Sequence, residues 1–420
     1  MAEPLKIDWS RNDYSRIPFA LYHDPEILKH EEERIFRGPV WSVLGFEGEI
    51  PNPGDFRVRY IGSTPIVVNR DAKGVIYAFV NRCSHRGAEI VREPFGNSSS
   101  HLCIYHCWSY NHQGDLTGVP FRKGVNGGGG MPADFDPKQH PLTKLHVALW
   151  KGVIFASFHT DPAPIEEYLG PLMTDHVGEL LSKPIRILGY QRQTVDANWK
   201  LYHENIRDAY HGSLLHEFNR TFGLSRLTQK AGSYMDAAHK HSILFQYSGS
   251  DSDEDAHKAY AENQVQRKEY MKLNDYEMVK LVKENPRGIS TRIISVFPNA
   301  FFHQIFNSLA MRLIRPLGTG RFELTWILFG YQDDSETMVA HRLNQANMVG
   351  PAGLISMEDG EALELVQRST APDQSISGVV EMGGVGPIVD RDTRANETTI
   401  RGFWAYYSQL MQIEPAGAFR

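Results

Sequence analysis

Cysteine is scarce in this sequence, with only three among 420 residues. A chain this long with so few cysteines does not depend on the disulfide scaffold that small secreted domains use. Long apolar runs are also missing. No stretch reaches the roughly 18 apolar residues of a transmembrane helix. The N-terminus lacks the apolar core of a secretory leader. We therefore expect a cytoplasmic protein that does not span or bind a membrane.

An excess of positive charge is absent as well. Lys plus Arg number 44 and Asp plus Glu number 50, which gives a formal charge of −6. A nucleic-acid-binding protein would show a basic stripe or a high pI, so we expect no nucleic-acid partner. Apolar residues make up 41% and charged residues 22%, which is typical of a globular chain rather than a disordered one.

The apolar pattern predicts a compact all-β region in the first half of the chain. A capped helix is expected from Asp24-Pro25 onward. From about Val40 to Phe158, short β-branched runs alternate with Gly, Pro, Asp and Asn, which is typical of strands joined by tight turns. Helical and strand patterns mix after that point. We therefore expect an α+β chain in which an all-β domain, 40–158, is inserted into a larger domain made of 1–39 and 159–420.

Three helical segments are predicted in the larger domain. The first covers 199–218, and the last lies around ETTIRGFWAYYSQLMQ near the C-terminus. Between them, the charged stretch 251–288 is interpreted as a solvated helical insertion.

The cysteines indicate a metal centre. Cys83, Cys103 and Cys107 lie within 25 residues of one another, in the most His-rich part of the chain. The spacing is Cys83-x-His85 and Cys103-x-x-His106, so that each loop offers one thiolate and one imidazole. Two mixed loops that face each other suit a two-iron cluster with the cysteines on one iron and the histidines on the other, which defines a Rieske [2Fe–2S] centre. A structural zinc site, which more often pairs Cys with Cys, is the alternative.

The remaining thiol and two nearby histidines are not counted as ligands. Cys107 is expected to pack as a small buried residue. His101 and His112 are interpreted as loop residues because neither has a matching partner.

A second metal site is predicted on the 199–218 helix. At ~100° per residue, Asp208, His211 and His216 fall within one sector of a continuous helix. Two imidazoles and a carboxylate with open positions form the facial triad of non-haem Fe(II) oxygenases. Asp208 could instead orient His211 from behind, because ligating imidazoles usually donate their other N–H to such a group. The third ligand would then come from Glu358 or Asp359. Ordinary helix histidines are the plain alternative.

These motifs resemble those of the large (α) subunit of Rieske non-haem iron ring-hydroxylating oxygenases. The similarity includes the two Cys-His pairs, the NWKLYHEN lead-in, Asp208-x-x-His211-x4-His216 and the GPAG segment before Asp359. Many members have Asp-Asp where this chain has Glu358-Asp359. The resemblance implies a Rieske domain inserted into a larger α+β catalytic domain with a central antiparallel sheet and covering helices.

The resemblance also implies the cofactors and partners. It assigns His211, His216 and Asp359 to a mononuclear Fe(II), and it makes Asp208 a bridge from His211 to His106 of a neighbouring subunit in a homotrimeric core, α3 or α3β3. Electrons from NAD(P)H would arrive through a ferredoxin or a flavin reductase. A small β subunit is expected, and O₂ and an aromatic compound would be the substrates.

Within the family, several segments are similar to enzymes acting on terephthalate, anthranilate and salicylate. Arg312 lies in an apolar strand whose face is expected to carry Phe302, Phe306, Ala310 and Ile314. A guanidinium there is costly unless an anion meets it. Arg312 and Arg394 match positions that resemble substrate-carboxylate contacts, and the alternative for each is an internal ion pair with Asp or Glu.

We therefore expect a dioxygenase or monooxygenase acting on an aromatic carboxylate. The alternatives are an oxygenase of the same family with an uncharged aromatic substrate, a Rieske electron-transfer protein, and a zinc-stabilised binding module. The second metal motif speaks against a simple electron carrier, because such a protein does not need residues 160–420.

Overall fold

The computed structural model describes residues 7, 9–263 and 271–413. The chain divides into two compact units, Phe36–Tyr168 and a larger one formed by Met1–Ile35 with Leu169–Arg420. The mixture of helices with a large antiparallel sheet confirms the predicted fold class. The functional domain boundaries at 40–158 stay a prediction.

The helices of the described ranges are α1 (Ala20–His23), α2 (Pro25–Glu31), α3 (Ile165–Leu180), α4 (Trp199–Arg207), α5 (Glu217–Phe222), α6 (Asp253–Glu262), α7 (Glu336–Val349), α8 (Leu354–Thr370) and α9 (Thr398–Met411). The strands are β1 (Arg16–Pro18), β2 (Ser42–Phe46), β3 (Asp55–Ile61), β4 (Thr64–Arg70), β5 (Ile76–Val80), β6 (Phe95–Asn97), β7 (His101–Leu102), β8 (Ser109–Tyr110), β9 (Leu116–Gly118), β10 (His146–Trp150), β11 (Val153–Ser157), β12 (Ile185–Val195), β13 (Ala231–Met235), β14 (Ser242–Gln246), β15 (Thr291–Val296), β16 (Ala300–Ile305), β17 (Ser308–Pro316), β18 (Phe322–Tyr331) and β19 (Ser377–Val379).

The smaller unit contains three antiparallel sheets. Their strand orders are β10-β11-β2, β5-β4-β3-β6 and β7-β8-β9. The short strands β7 and β8 form a hairpin over a core that includes Phe79, Trp108 and Tyr110. The loop of this hairpin carries Cys103 and His106, and the loop after β5 carries Cys83 and His85. Both loops are therefore anchored by the strands that flank them.

The larger unit is built on a seven-stranded antiparallel sheet. Its order is β12-β18-β17-β16-β15-β14-β13, so consecutive strands are neighbours except where β12 joins through β18. Nearly every residue of β16 and β17 is buried, which explains their continuous apolar sequence. The sheet packs against α4 through β15 and β17, and against α7 and α8.

Helix α2 begins as the sequence predicts. The Asp24 carboxylate accepts a hydrogen bond from Glu26 N at 2.8 Å, and Pro25 occupies the first helical position. The expected C-terminal helix is also confirmed, as α9. None of the helices in the described ranges is both long and apolar enough to cross a membrane.

The interpretation of 251–288 as a helical insertion is wrong for most of its described part. Helix α6 covers only its start, and 264–270 lie outside the described residues. From 271 onward the segment is irregular apart from one 3-10 turn at Glu277–Val279. Its backbone groups are satisfied by side chains of the sheet and of α7 instead. Asn307 exchanges two hydrogen bonds with the backbone of Val282, and Gln345 donates to the carbonyl of Lys280.

A buried carboxylate connects α2, α4 and α9. Glu31 accepts hydrogen bonds from the Lys200 ammonium at 2.6 Å, the Trp199 indole at 2.7 Å and the Tyr407 hydroxyl at 2.5 Å. Glu31 and Lys200 are both almost fully buried. Burial lowers the pKa of Lys200, and the contact with Glu31 opposes that shift. This group of side chains anchors α4, the helix that leads into the second candidate metal site.

We expect Glu31→Ala to destabilise the larger unit by about 3–5 kcal/mol, because it leaves a buried ammonium without its counter-charge. Denaturation in urea, followed by tryptophan fluorescence, measures the loss. Asp333→Ala is the control. It breaks a solvent-exposed ion pair with Lys183, and its denaturation midpoint should stay close to that of the wild type. Equal midpoints for both variants would contradict the anchoring role of Glu31.

Candidate metal centres

Two tight loops present the four residues of the Cys-His pairs. In the first loop, Cys83 N donates to the carbonyl of Ala88 and Cys83 O accepts from Gly87 N. In the second, Cys103 N donates to Trp108 O and Cys103 O accepts from Cys107 N. Each loop therefore folds back on its own cysteine. Gly87 has a φ of +77°, a conformation that glycine adopts without strain.

The expectation that Cys107 is a buried packing residue is wrong. Its side chain is exposed, and its backbone has a φ of +55° at the point where the second loop turns back. The sulfur plays no packing role because the turn directs it away from the core. Cys107 contributes the backbone hydrogen bond from its N–H to the carbonyl of Cys103, which closes the loop.

The thiols and the imidazoles form two separate pairs. Cys83 and Cys103 are buried, whereas His85 is exposed and His106 is partly exposed. The two histidine rings lie 4.5 Å apart, and His85 stacks on Trp108. Within the described residues, these four side chains do not converge on a single point in the way that one zinc ion requires. The arrangement fits a two-iron cluster with an inner thiolate end and an outer imidazole end.

Sequence reasoning missed Tyr110. Its hydroxyl lies 3.2 Å from the Cys83 sulfur and also contacts the hydroxyl of Ser84. Burial and the neighbouring thiol raise the pKa of Tyr110, so the hydroxyl stays protonated and can donate to sulfur. Hydrogen bonds to cluster sulfurs tune the reduction potential. No spacing rule in the sequence points to this residue.

The interpretation of His101 as a loop residue is wrong, since it lies buried in β7, whereas His112 lies in a turn. Both have hydrogen-bond partners outside the Cys-His pairs. His101 Nε2 lies 3.0 Å from Asn69 Oδ1, and His112 Nε2 lies 2.7 Å from the carbonyl of Ser98.

The prediction of one continuous helix over 199–218 is wrong. Helix α4 ends at Arg207, and Asp208 has an extended backbone with φ −85° and ψ 106°. The Asp208 carboxylate accepts hydrogen bonds from the N–H groups of Tyr210 at 2.7 Å and His211 at 3.2 Å. These bonds take the place of helical ones, which is why aspartate ends helices so readily. The chain restarts as helix α5 only after His216.

The break nevertheless brings the predicted residues together. Ligand atoms of His211, His216 and Asp359 all lie within 4.8 Å of one another. Asp359, which lies on α8, places Oδ1 3.3 Å from His211 Nε2 and 3.6 Å from His216 Nε2. Asn205 of α4 donates to the same oxygen at 3.0 Å. Among the described residues, this is the one set of three such donors close enough to hold a single metal ion.

Each imidazole has a second carboxylate on its other nitrogen. His211 Nδ1 lies 3.3 Å from Asp208, and His216 Nδ1 lies 3.0 Å from Glu358. Glu358 also accepts from the backbone N–H of Glu217, the first residue of α5. Glu358 thereby fixes His216 Nδ1 as a donor, Asp208 lies at ion-pair distance from His211 Nδ1, and both Nε2 atoms turn towards Asp359. Metal-binding histidines commonly have this arrangement.

The electrostatics of the triad match a cation site. Burial works against a charged imidazole, but Asp208 and Asp359 together raise the pKa of His211 to about 10. Burial likewise opposes ionisation of Asp359, yet the two histidines and Asn205 lower its pKa to about 2. The pocket between the three side chains therefore favours positive charge, as a ferrous ion would supply. The donor set of two imidazoles and one carboxylate fits the mononuclear iron of the facial triad.

One cavity opens onto this triad, and two arginines line it. Its walls are largely apolar, with Ile293, Ile305 and Phe306 among them. Arg312 and Arg394 also face the cavity. A small aromatic molecule with an anionic group matches this combination of walls and charges.

The predicted neighbours of Arg312 are right on its own strand and wrong before it. Ala310 and Ile314 alternate with Arg312 on β17 as expected. The turn at Phe306-Asn307 reverses the chain between β16 and β17, so the face does not continue to Phe302, which pairs with Met311. The strands on either side contribute Phe301 and Trp326 as further apolar neighbours.

Both cavity arginines are held by neutral groups, and Arg312 is buried whereas Arg394 is partly exposed. Arg394 donates to the carbonyl of Ala209 at 3.2 Å, the hydroxyl of Ser225 at 2.6 Å and the amide oxygen of Gln246 at 2.5 Å. Burial lowers its pKa to about 10. Among the described residues, Arg312 has an imidazole, a phenol and an indole ring as its partners. Neither arginine forms an ion pair with a carboxylate of the described residues, so the internal salt bridges considered above are absent there.

Comparisons with known proteins extend over both regions. A family model described as the Rieske [2Fe-2S] domain matches residues 40–127, and one described as the ring hydroxylating alpha subunit (catalytic domain) matches residues 177–413. The anthranilate 1,2-dioxygenase large subunit of Burkholderia cepacia is 45% identical to this chain, over 96% of this chain and 95% of the relative. The terephthalate 1,2-dioxygenase terminal oxygenase component subunit alpha 2 of Comamonas sp. is 44% identical, over 97% of this chain and 98% of the relative.

The architecture is similar to that of a solved enzyme. The crystal structure of naphthalene 1,2-dioxygenase from Rhodococcus sp., bound to indole, is 26% identical and has a TM-score of 0.78, with 95% of each chain covered. The matches span the regions that hold both sets of candidate ligands.

For the cluster, we expect His106→Ala to abolish the visible and EPR signature of the [2Fe–2S] centre, because one iron loses a ligand. Iron bound at the second site should remain. His112→Ala is the matched control, because it removes an imidazole of the same unit that is bonded to a backbone carbonyl, and its spectrum should equal that of the wild type. An unchanged spectrum in His106→Ala would show that the ligand is misassigned.

For the second site, we expect Asp359→Ala to lose the mononuclear iron, measured by metal analysis of protein that still contains its cluster. Glu358→Gln and Asp208→Asn should keep much of the iron, with affinity lowered ~10–100-fold, because these carboxylates act through the imidazoles. If Glu358→Gln instead lost the iron and Asp359→Ala retained it, the ligand would be the preceding residue.

Proposed function

Because the chain belongs to the family of ring-hydroxylating oxygenase alpha subunits, we propose that it hydroxylates an aromatic carboxylate such as anthranilate, terephthalate or salicylate. One observation carries the choice of substrate class. The cavity beside the His211, His216 and Asp359 triad is lined by two arginines, Arg312 buried and Arg394 partly exposed, and neither has a carboxylate ion-pair partner among the described residues.

The cost of burying charge makes this observation informative. A buried cation without a counter-charge is expensive, and proteins usually pair it. Elsewhere in the same unit, Arg342 follows that rule, with Asp334 at 2.7 Å and Glu284 also in contact. Arg312 and Arg394 do not, and unlike Arg207, which is buried against backbone carbonyls, both of them line the cavity. An aromatic carboxylate would supply the missing anion, and the planar guanidinium fork suits it.

The residues around the cavity have distinct roles in this proposal. His211, His216 and Asp359 hold the ferrous ion, while Asp208 and Glu358 keep the two imidazoles in position. When bound, the ferrous ion supplies oxygen activation and the Rieske cluster held by Cys83, His85, Cys103 and His106 supplies electrons. Arg312 and Arg394 bind the acid group. The apolar walls keep the ring in place and exclude water.

The partners and boundaries belong to the same proposal. The Rieske domain occupies 40–158, and 1–39 with 159–420 form the catalytic domain. A ferredoxin or flavin reductase delivers electrons from NAD(P)H, and the subunits assemble as α3 or, with a small β subunit, as α3β3. Asp208 additionally joins His211 to His106 of a neighbouring subunit. The cytoplasmic location stays a prediction.

The experiment measures steady-state turnover of acid and amide pairs by the complete oxygenase system: anthranilate with anthranilamide, salicylate with salicylamide, and benzoate with benzamide, together with terephthalate. Each amide keeps the shape of its acid but lacks the charge. The wild type should prefer the acids. Arg312→Leu should raise KM for the preferred acid ~10–100-fold, because charge-assisted hydrogen bonds contribute ~1.5–3 kcal/mol each.

The amides act as the internal control, and their KM should change little in Arg312→Leu. The cluster spectrum and iron content should match those of the wild type. Equal losses for acids and amides would make Arg312 a structural residue. A wild type that prefers neutral compounds such as naphthalene to every acid would favour the uncharged-aromatic alternative.

A further inference from the structure

Arg312 is held by neutral groups on three sides. Its Nε lies 3.0 Å and its Nη2 lies 2.7 Å from Nδ1 of His303, so one imidazole nitrogen accepts from both. Its Nη1 donates to the hydroxyl of Tyr202 at 2.7 Å. The guanidinium carbon lies 4.2 Å from the ring centre of Trp326, at stacking distance. All four side chains are buried.

The hydrogen bonds that His303 accepts from Arg312 require its imidazole to be neutral. Its Nδ1 cannot carry a proton while it accepts from Arg312, so the proton is on Nε2, which lies 3.5 Å from the hydroxyl of Ser308. Burial lowers the pKa of His303 well below 6.5, and the adjacent guanidinium lowers it further. Burial raises the pKa of Tyr202, although Arg312 opposes that shift. Both shifts favour the uncharged form of the partner.

A comparison with Arg342 shows how neutral partners affect the charge of an arginine. Arg342 is fixed by two carboxylates, and its charge is cancelled inside the protein. Arg312 is also held by several hydrogen bonds, two of its three nitrogens donating to the same imidazole nitrogen. None of these partners carries a negative charge. The positive charge of Arg312 remains available to whatever enters the cavity.

We propose that His303 is a specificity-determining positioning residue, which orients the Arg312 guanidinium through a neutral lone pair and so preserves its charge for an anionic aromatic substrate. The inference deepens the proposed function and rests on it. His303 does not line the cavity, and it acts only through Arg312. Its contribution therefore lies in the preference for acid over amide rather than in the chemical step.

Three substitutions at one position separate geometry from charge. In His303→Asn, the amide Oδ1 can accept from Arg312 near the place of Nδ1, so the ratio of acid to amide kcat/KM should stay within about threefold of the wild type. In His303→Asp, which has the same shape, a carboxylate pairs with Arg312 and competes with the substrate. The ratio should fall at least ~10-fold, as expected when a charge-assisted contact is lost. His303→Leu removes the acceptor, and its ratio should fall as well.

His203→Asn is the matched control for damage to the core. His203 is equally buried, and its Nε2 contacts the carbonyl of Pro298 rather than an arginine. Its substitution should lower the melting temperature while leaving the acid-to-amide ratio unchanged. All variants are assayed as holoenzyme with measured iron and cluster content, using the same acid and amide pairs. If His303→Asp does not fold, the comparison of His303→Leu with His303→Asn decides.

The outcomes distinguish a failure of the role assigned to His303 from a failure of the proposed function. A normal ratio in His303→Asp or His303→Leu, with a reduced ratio in Arg312→Leu, would overturn the role of His303 and leave the proposed function standing. A reduced ratio in His303→Asn equal to that in His303→Asp would also overturn it, because charge would then not matter. A normal ratio in Arg312→Leu would make Arg312 a structural residue and overturn the role of His303 with it, whereas a wild type that prefers neutral aromatics to the acids would overturn the proposed substrate class.

Discussion

Asp359 Oδ1 lies between the Nε2 atoms of His211 and His216, and three separate segments must meet for this to happen. Helix α4 has to stop at Asp208, α5 has to begin after His216, and α8 has to present its acid to both. The Glu31 network holds α4 in place, and Glu358 ties α8 to the start of α5. Because two imidazoles without outer carboxylates could rotate, the convergence on Asp359 depends on Asp208 and Glu358 as much as on the three residues themselves.

The larger unit treats its buried charges in two ways. Where a charge serves the fold, as in Glu31 with Lys200 or in Arg342 with its two carboxylates, it is paired inside the protein. The two arginines that line the cavity instead have imidazole, phenol, hydroxyl, amide or carbonyl partners. Neutral partners alone do not identify a ligand site, because Arg207 is buried against backbone carbonyls and the Ser295 hydroxyl away from the cavity. What distinguishes Arg312 and Arg394 is that they combine neutral partners with a place in the cavity wall.

Local patterns could be read from the sequence, whereas contacts between distant segments could not. The Cys-His spacing identified both loops of the smaller unit because each loop is a short-range structure. The continuous helix over 199–218 was wrong because apolar periodicity does not reveal that the Asp208 side chain competes with the backbone for its own N–H groups. Tyr110 and His303 were missed, and Glu358 was named only as an alternative metal ligand, for another reason. Each acts across 9 to 142 residues of sequence, through a fold that had to be known first.

Histidine shows most clearly why residue type alone does not give a role. His211 lies between two carboxylates, which raise its pKa to about 10 despite burial, and this surrounding negative charge makes the site attractive to a cation. His303 lies beside a guanidinium, where burial and positive charge keep it neutral and leave a lone pair to accept hydrogen bonds. His211 lines the cavity, whereas His303 lies behind Arg312 and acts on the cavity only through it. The sign of the neighbouring charge therefore decides which histidine is suited to a metal and which to holding the group that binds an anion.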